Sequence, residues 1–336
     1  MAVSFVAELD ALPLASLLEK AQRADKASVL RSLGLSRLRL TDFAHLISPA
    51  AADQLEALAR RARAITQQRF GRVIRLFAPL YLSNECINNC AYCGFAREHP
   101  IGRVTLTVEE VLREARALQA QGFRNLLLVA GEHPISVGTG YLETCVRALH
   151  PAIPSLSLEV GTLDTPAYAR LVAAGAEGLV VYQETYNRPA YAELHRAGPK
   201  RDFEWRLETP ERASEAGFRR IGIGALLGLH DWRAEALCLA AHAAYLCQRC
   251  WKAALTVSVP RLRPSAGRFE PKAPVSNRDL VQLVCALRVF LPDVGIVLST
   301  REPPALRDGL IPLGVTLMSA GSHTEPGGYT GAGREH

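Results

Sequence analysis

Three cysteines stand close together in Tyr81-Leu-Ser-Asn-Glu-Cys86-Ile-Asn-Asn-Cys90-Ala-Tyr-Cys93-Gly-Phe-Ala-Arg97. A C-x3-C-x2-C loop is short enough to wrap one corner of an iron–sulfur cubane, giving one soft thiolate to each of three irons. A 4Fe–4S cluster held by Cys86, Cys90 and Cys93 would keep its fourth iron free of protein ligands, and an open coordination position is where chemistry happens. The rival uses are a zinc knuckle, with His99 as fourth ligand, and three unrelated core cysteines.

Such a loop needs a frame. From about residue 75 onward, short β-branched runs alternate with amphipathic helical stretches. Strands are expected at Val73–Leu82, Asn125–Ala130, Ser155–Gly161, Gly178–Gln183, Ile221–Leu226, Leu255–Pro260, Gly295–Ser299 and Gly314–Ser319. Leu126-Leu-Leu-Val-Ala130 is apolar throughout, as strands covered on both faces of a parallel sheet are. Helices are expected at Thr107–Gln121, Thr139–Leu149, Thr165–Ala174, Phe203–Ala216, Asp231–Trp251, Ser276–Leu291 and Pro303–Leu310. Thr107 followed by Glu110 has the spacing of a capping box, and Gly122, Gly175 and Gly217 stand where left-handed caps are wanted.

The alternation predicts an α/β fold, a (βα)8 TIM-type barrel. A doubly wound open sheet is the rival, weakened because no glycine-rich dinucleotide turn opens the first βα unit. In either reading the cysteines follow the first strand, and catalytic loops of barrels lie at strand C-terminal ends. Residues 1–70 form an N-terminal helical extension, with Ala52–Arg69 its clearest helix, expected against the bottom or side of the barrel. The barrel takes 71–322. A Gly-rich C-terminal tail, 323–336, follows with the last helix missing, and reads as cut short.

Of the 336 residues, 49% are hydrophobic and 21% charged, a balance that supports a large core and excludes disorder. The first ten residues carry Glu8 and Asp10 and no basic leader, and no run approaches the roughly 18 apolar residues of a membrane span. The chain therefore reads as cytoplasmic, with no membrane partner. Its net charge of +6 is scattered and lacks a nucleic-acid motif, so no nucleic acid is expected. An acidic electron donor such as flavodoxin or ferredoxin suits that charge.

Eight cysteines in such a compartment point to metal or redox chemistry rather than disulfides. Cys247 and Cys250 share a helix face at i, i+3 and read as packing. Cys145, Cys238 and Cys285 read as small buried hydrophobes. No two histidines have metal-pair spacing on one element, although His133 could line a site beside Glu132.

The cysteine loop resembles the signature of the radical S-adenosylmethionine (SAM) superfamily. That resemblance implies SAM chelated to the fourth iron, Tyr92 near its adenine, and reductive cleavage to methionine and a 5′-deoxyadenosyl radical. Gly131 and Glu132 resemble the motif supporting the methionine amine, with Ala130 replacing the commoner glycine. Glu184 resembles a ribose- or methionine-side contact, and Arg206 an arginine clamping the methionine carboxylate. Read without the resemblance, Glu132 and Glu184 could be helix N-terminal acids and Arg206 a surface ion pair.

A narrower resemblance, from about residue 70 to Tyr329, is to the 2-iminoacetate synthases, tyrosine lyases of thiamine thiazole synthesis. It is carried by Val181-Tyr-Gln-Glu-Thr-Tyr186, Arg206-Leu-Glu-Thr-Pro210, Ser258-Val-Pro-Arg-Leu-Arg-Pro264, Leu298-Ser-Thr-Arg-Glu302 and Pro326-Gly-Gly-Tyr329, among others. It implies hydrogen abstraction from the amine of L-tyrosine, Cα–Cβ cleavage to 2-iminoacetate and p-cresol, and thiazole synthase as a partner. Arg301 would clamp the substrate carboxylate, helped by Ser319 and Ser322; its bland alternative is an ion pair with Glu302. Tryptophan lyases and the hydrogenase-maturation tyrosine lyase share several motifs, and a non-catalytic iron–sulfur or zinc protein is the reading from another class.

Overall fold

The structure, a computed structural model, describes residues 4–263 and 269–331. An N-terminal series of short helices comes first: α1 (Phe5–Asp10), α2 (Leu14–Arg23), α3 (Lys26–Gly34), α4 (Leu40–Leu46), α5 (Pro49–Ala52) and α6 (Leu55–Phe70). Then come β1 (Arg75–Ser83), α7 (Val108–Ala120), β2 (Asn125–Ala130), α8 (Thr139–Leu149), β3 (Ser155–Glu159), α9 (Thr165–Ala174) and β4 (Gly178–Glu184). After β4 lie α10 (Arg188–Leu194), α11 (Phe203–Leu207) and α12 (Thr209–Ala216), then β5 (Arg220–Ala225) and α13 (Trp232–Arg249). The chain continues through β6 (Ala254–Ser258), α14 (Asn277–Phe290), β7 (Gly295–Leu298), α15 (Pro304–Leu310) and β8 (Leu317–Ser319).

The eight strands pair in sequence order into a closed barrel, every ladder parallel, with β8 returning to β1. The open-sheet reading is thereby set aside. Parallel strands with helices outside are covered on both faces, which is why Leu126, Leu128, Leu156 and Leu158 are buried. The alternate residues face the bore in layers. At the bottom Arg220 donates to Ser155 and Ser157. Above it a Cβ on Gly222 would meet Val180 and Thr256, and one on Gly224 would meet the Tyr182 ring.

Local expectations hold where short-range chemistry dictates them. Thr107 and Glu110 form the reciprocal capping box at α7, with the Thr107 amide donating to the Glu110 carboxylate at 2.8 Å. Gly175 and Gly217 end α9 and α12 at φ +117° and +99°. The single helix expected over Phe203–Ala216 is instead two, because Pro210 begins a new helix at Thr209. The short α10 is an element the periodicity did not reveal.

The extension lies beside the barrel: Gln282 of α14 donates to the Leu46 and Ser48 carbonyls at 3.0 and 2.8 Å. Among the described residues no helix follows β8. The tail docks instead, its Tyr329 hydroxyl donating to the Pro79 carbonyl at 2.6 Å. The Tyr329 and Thr330 amides donate to buried Glu114 of α7 at 2.8 and 2.9 Å. Cys145, Cys238 and Cys285 are buried as expected. Cys247 and Cys250 are not a packed pair: Cys247 is exposed, while buried Cys250 caps the end of α13.

Candidate active site

Loop Asn84–Pro100 leaves β1 at the barrel mouth and carries the three cysteines. Its shape is held from two sides. The Arg103 guanidinium donates to the carbonyls of Asn84, Phe95, Ala96 and His99 at 2.7, 2.9, 2.7 and 3.3 Å. Buried Asn84 answers, donating to Gly102 and accepting from the Val104 amide. On the other side the Ala91 and Asn89 amides donate to the Leu194 and Ala197 carbonyls, and the Arg196 amide donates to the Asn89 carbonyl.

Asn88 is the hub. Its side-chain amide donates to Glu132 at 2.6 Å and lies 3.7 Å from the Cys86 sulfur, while its Oδ1 accepts from the Lys200 amide at 2.9 Å. A Cβ on Gly131 would overlap the Glu85 carbonyl, so only glycine lets β2 end directly under the cysteine loop. Glu132, His133, Gly161 and Leu163 line a cleft of about 280 Å³ beside Ile87 and Pro199. Helix α8 starts at Thr139, which removes Glu132 from any helix N-terminal role.

Glu184 ends β4 at φ +71°, the left-handed region, at a register shift in the β4–β5 ladder. A non-glycine residue held there costs on the order of 1–3 kcal/mol and persists only when its surroundings over-determine it. They do here. The Lys200 ammonium donates to Glu184 at 2.7 Å, with the Arg206 guanidinium 3.7 Å away. Burial works to raise the Glu184 carboxyl, but the Lys200 and Arg206 charges outweigh it and hold it below the usual carboxylate range. Arg206 is buried and donates to the Tyr182 carbonyl at 2.7 Å, so it is no surface ion pair. From α13, buried Glu235 accepts from the Thr185 hydroxyl and from the Tyr186 amide at 2.8 Å.

Tyr92 is buried, its hydroxyl 2.8 Å from His195 Nε2, while His195 Nδ1 lies 2.8 Å from the Tyr191 carbonyl. Burial, with the nearby Lys200 charge, pushes His195 down to about 3, so its ring is neutral. Burial also raises the Cys90 thiol to about 12 and raises Cys93, with Lys200 opposing both.

After β7, Glu302 is claimed by Arg261 and Arg263, not by Arg301. Among the described residues Arg301 has no ion-pair partner, and its charge is felt by Tyr81, Glu159 and Tyr182 in the bore. Thr300 ties the two serines together: its amide donates to Ser319 at 3.1 Å and its hydroxyl to Ser322 at 3.0 Å.

Residues 80–239 match the model of the radical SAM superfamily, and 258–332 that of the biotin and thiamin synthesis associated domain. Over 90% of the chain, 46% of residues are identical to 2-iminoacetate synthase of Escherichia coli (strain K12), covering 81% of that protein's length. The chain belongs to the 2-iminoacetate synthase family of the radical SAM superfamily. The corresponding protein of Salmonella typhimurium is 45% identical over the same shares. Among solved structures, the FeFe-hydrogenase maturase HydG from Carboxydothermus hydrogenoformans superposes with TM-score 0.85 at 39% identity, covering 96% of this chain and 73% of that one.

Membership of the superfamily implies a 4Fe–4S cluster and SAM. The cysteine loop fits the cluster in its donors: Cys86, Cys90 and Cys93 are free thiols on one loop, and a cubane takes each thiolate on a separate iron. Residues that sequence reading passed over are Asn88, Arg103, Glu159, Lys200 and Glu235, and His195 was read only as lacking a metal-pair partner. Only their three-dimensional neighbours mark them.

Proposed function

We propose that the protein is a carbon–carbon lyase that cleaves L-tyrosine to 2-iminoacetate and p-cresol while reductively splitting SAM. Cys86, Cys90 and Cys93 hold the cluster, and Tyr92, Gly131, Glu132, Glu184 and Arg206 bind SAM. When bound, the cluster and SAM together supply the hydrogen-abstracting radical. The chain's own groups bind and orient. Glu132, steadied by Asn88, accepts the methionine amine, while Arg206 faces the methionine carboxylate. Arg301 takes the carboxylate of the amino acid, with Ser319 and Ser322 beside it, turning the substrate amine toward the cluster side of the mouth. The product imine passes to a thiazole synthase, and the electron comes from an acidic donor such as flavodoxin or ferredoxin.

The observation that carries this reading is a single barrel mouth that holds both the triple-cysteine loop, after β1, and Arg301, after β7, which has no ion-pair partner among the described residues, in a chain of this family. The test is anaerobic incubation of the iron–sulfur protein with SAM, a reductant and tyrosine. p-Cresol is expected, and Arg301→Ala should lower its formation far more than it lowers uncoupled SAM cleavage. Indole products from tryptophan, with no p-cresol from tyrosine, would assign another aromatic lyase. Stoichiometric zinc with no 5′-deoxyadenosine would end the radical reading.

A further inference from the structure

Glu159 is the last residue of β3 and pairs in register with Val129 of β2. Strand alternation puts it on the face of Ser155 and Ser157, whose hydroxyls accept from Arg220 at the bottom of the bore. Glu159 therefore stands in the top layer of the bore, at the mouth. Among the described residues it accepts no hydrogen bond and forms no ion pair. A half-buried carboxylate at the top of the bore without a partner calls for an explanation. The titratable and charged groups facing it are Tyr81 of β1, Tyr182 and Glu184 of β4, Lys200, Arg206 and Arg301.

Lys200 and Arg206 are engaged by Glu184, whereas among the described residues neither Arg301 nor Glu159 has an ion-pair partner. One acidic and one basic group over a bore match the two charges of an amino-acid zwitterion. We infer that Glu159 binds the ammonium group of the substrate and takes one of its protons, leaving a neutral amine for hydrogen abstraction. This rests on the tyrosine lyase reading and deepens it. The step is a proton transfer: –NH3+ and –COO− become –NH2 and –COOH, with no electron moved. The order matters, because removing a hydrogen atom from an ammonium would strand a positive charge on the nitrogen radical. The setting suits the task. Burial and the Glu184 charge raise Glu159 to about 7, against the pull of Arg301, so it is a base near neutrality.

The test uses the reconstituted holoprotein and the variants Glu159→Gln and Glu159→Asp. Glu159→Gln should lower p-cresol formation by about a hundredfold or more, the range of a lost acid–base group. It should weaken L-tyrosine binding by about tenfold, and leave 3-(4-hydroxyphenyl)propionate, which lacks the amine, within about twofold. Glu159→Asp should recover part of the turnover. In wild type, kcat/KM should fall as pH drops through about 7, and that acid limb should vanish in Glu159→Gln. Equal loss of tyrosine and of its deaminated analogue would make the role structural and overturn the inference, as would turnover within about threefold of wild type. A wild type that splits SAM without yielding p-cresol overturns the lyase reading instead. The amine assignment is then decided by binding alone, each aromatic amino acid against its deaminated counterpart.

Discussion

Arg103 and Asn88 show how single side chains convert a flexible loop into a ready site. Arg103 spends its guanidinium on backbone carbonyls of the cysteine loop, and bonds from a charged donor are worth roughly 1.5–3 kcal/mol each. Arg103→Met is therefore expected to loosen the loop while the barrel stays folded. Limited proteolysis of the metal-free protein should cut between residues 84 and 100 faster, and iron per chain after reconstitution should fall. Unchanged cleavage and full iron loading would count against this role. His195 makes a different prediction, through protonation. Its folded-state value, like that of His242, is depressed to about 3 by burial, below the ordinary 6.5. The unfolded chain then binds the extra proton first, so stability is complete above about pH 6.5 and is lost as pH falls toward 3. Each ring should withdraw about 2 kcal/mol by pH 5, and urea midpoints measured from pH 7.5 to 5 should show the loss shrinking in His195→Gln.

At the scale of elements, the β4–α10 turn is where the fold accepts strain. Glu184 occupies φ +71° because Lys200 holds its carboxylate and α13 holds the two residues after it. Glu235 is the α13 contribution, and burial raises its carboxyl to about 7 against the hydrogen bonds from Thr185 and Tyr186. Glu235→Ala leaves those two donors unmet, at about 1–3 kcal/mol for each buried group. The turn should relax, and SAM binding, measured by calorimetry on the reconstituted protein, should weaken more than tyrosine binding does. Nothing in the local sequence marks this turn as special. Its motif, Val181-Tyr-Gln-Glu-Thr-Tyr186, was legible only by family resemblance, because α13 lies about fifty residues away in the chain.

For the whole molecule, closure is the issue. A barrel of parallel strands is stable once each strand has two neighbours and each gap outside is covered. Among the described residues no helix follows β8, and the tail provides the cover beside β1 and α7. Glu114 holds that cover through the Tyr329 and Thr330 amides. Glu114→Ala should cost about 1–3 kcal/mol, lowering Tm by a few degrees. Amide hydrogen exchange should quicken first in residues 320–331. A uniform rise in exchange across the barrel would show instead that Glu114 supports the core of α7. No described helix is long and apolar enough to cross a membrane.

Much of this protein was written in short-range patterns. All eight strands were legible because two-sided burial makes apolar runs, and most helix limits because caps act over three or four residues. The cysteine loop was legible because its three cysteines are neighbours in the chain. Tertiary structure alone decided the rest. It chose the closed barrel over an open sheet and separated exposed Cys247 from buried Cys250. It gave Glu302 to Arg261 and Arg263, leaving Arg301 and, at the end of β3, Glu159 without an ion-pair partner among the described residues. Charges find their partners through space, over separations that no local pattern records. For that reason the cysteine loop could be read along the chain, whereas the partners of the charged side chains at the mouth could be read only from the fold.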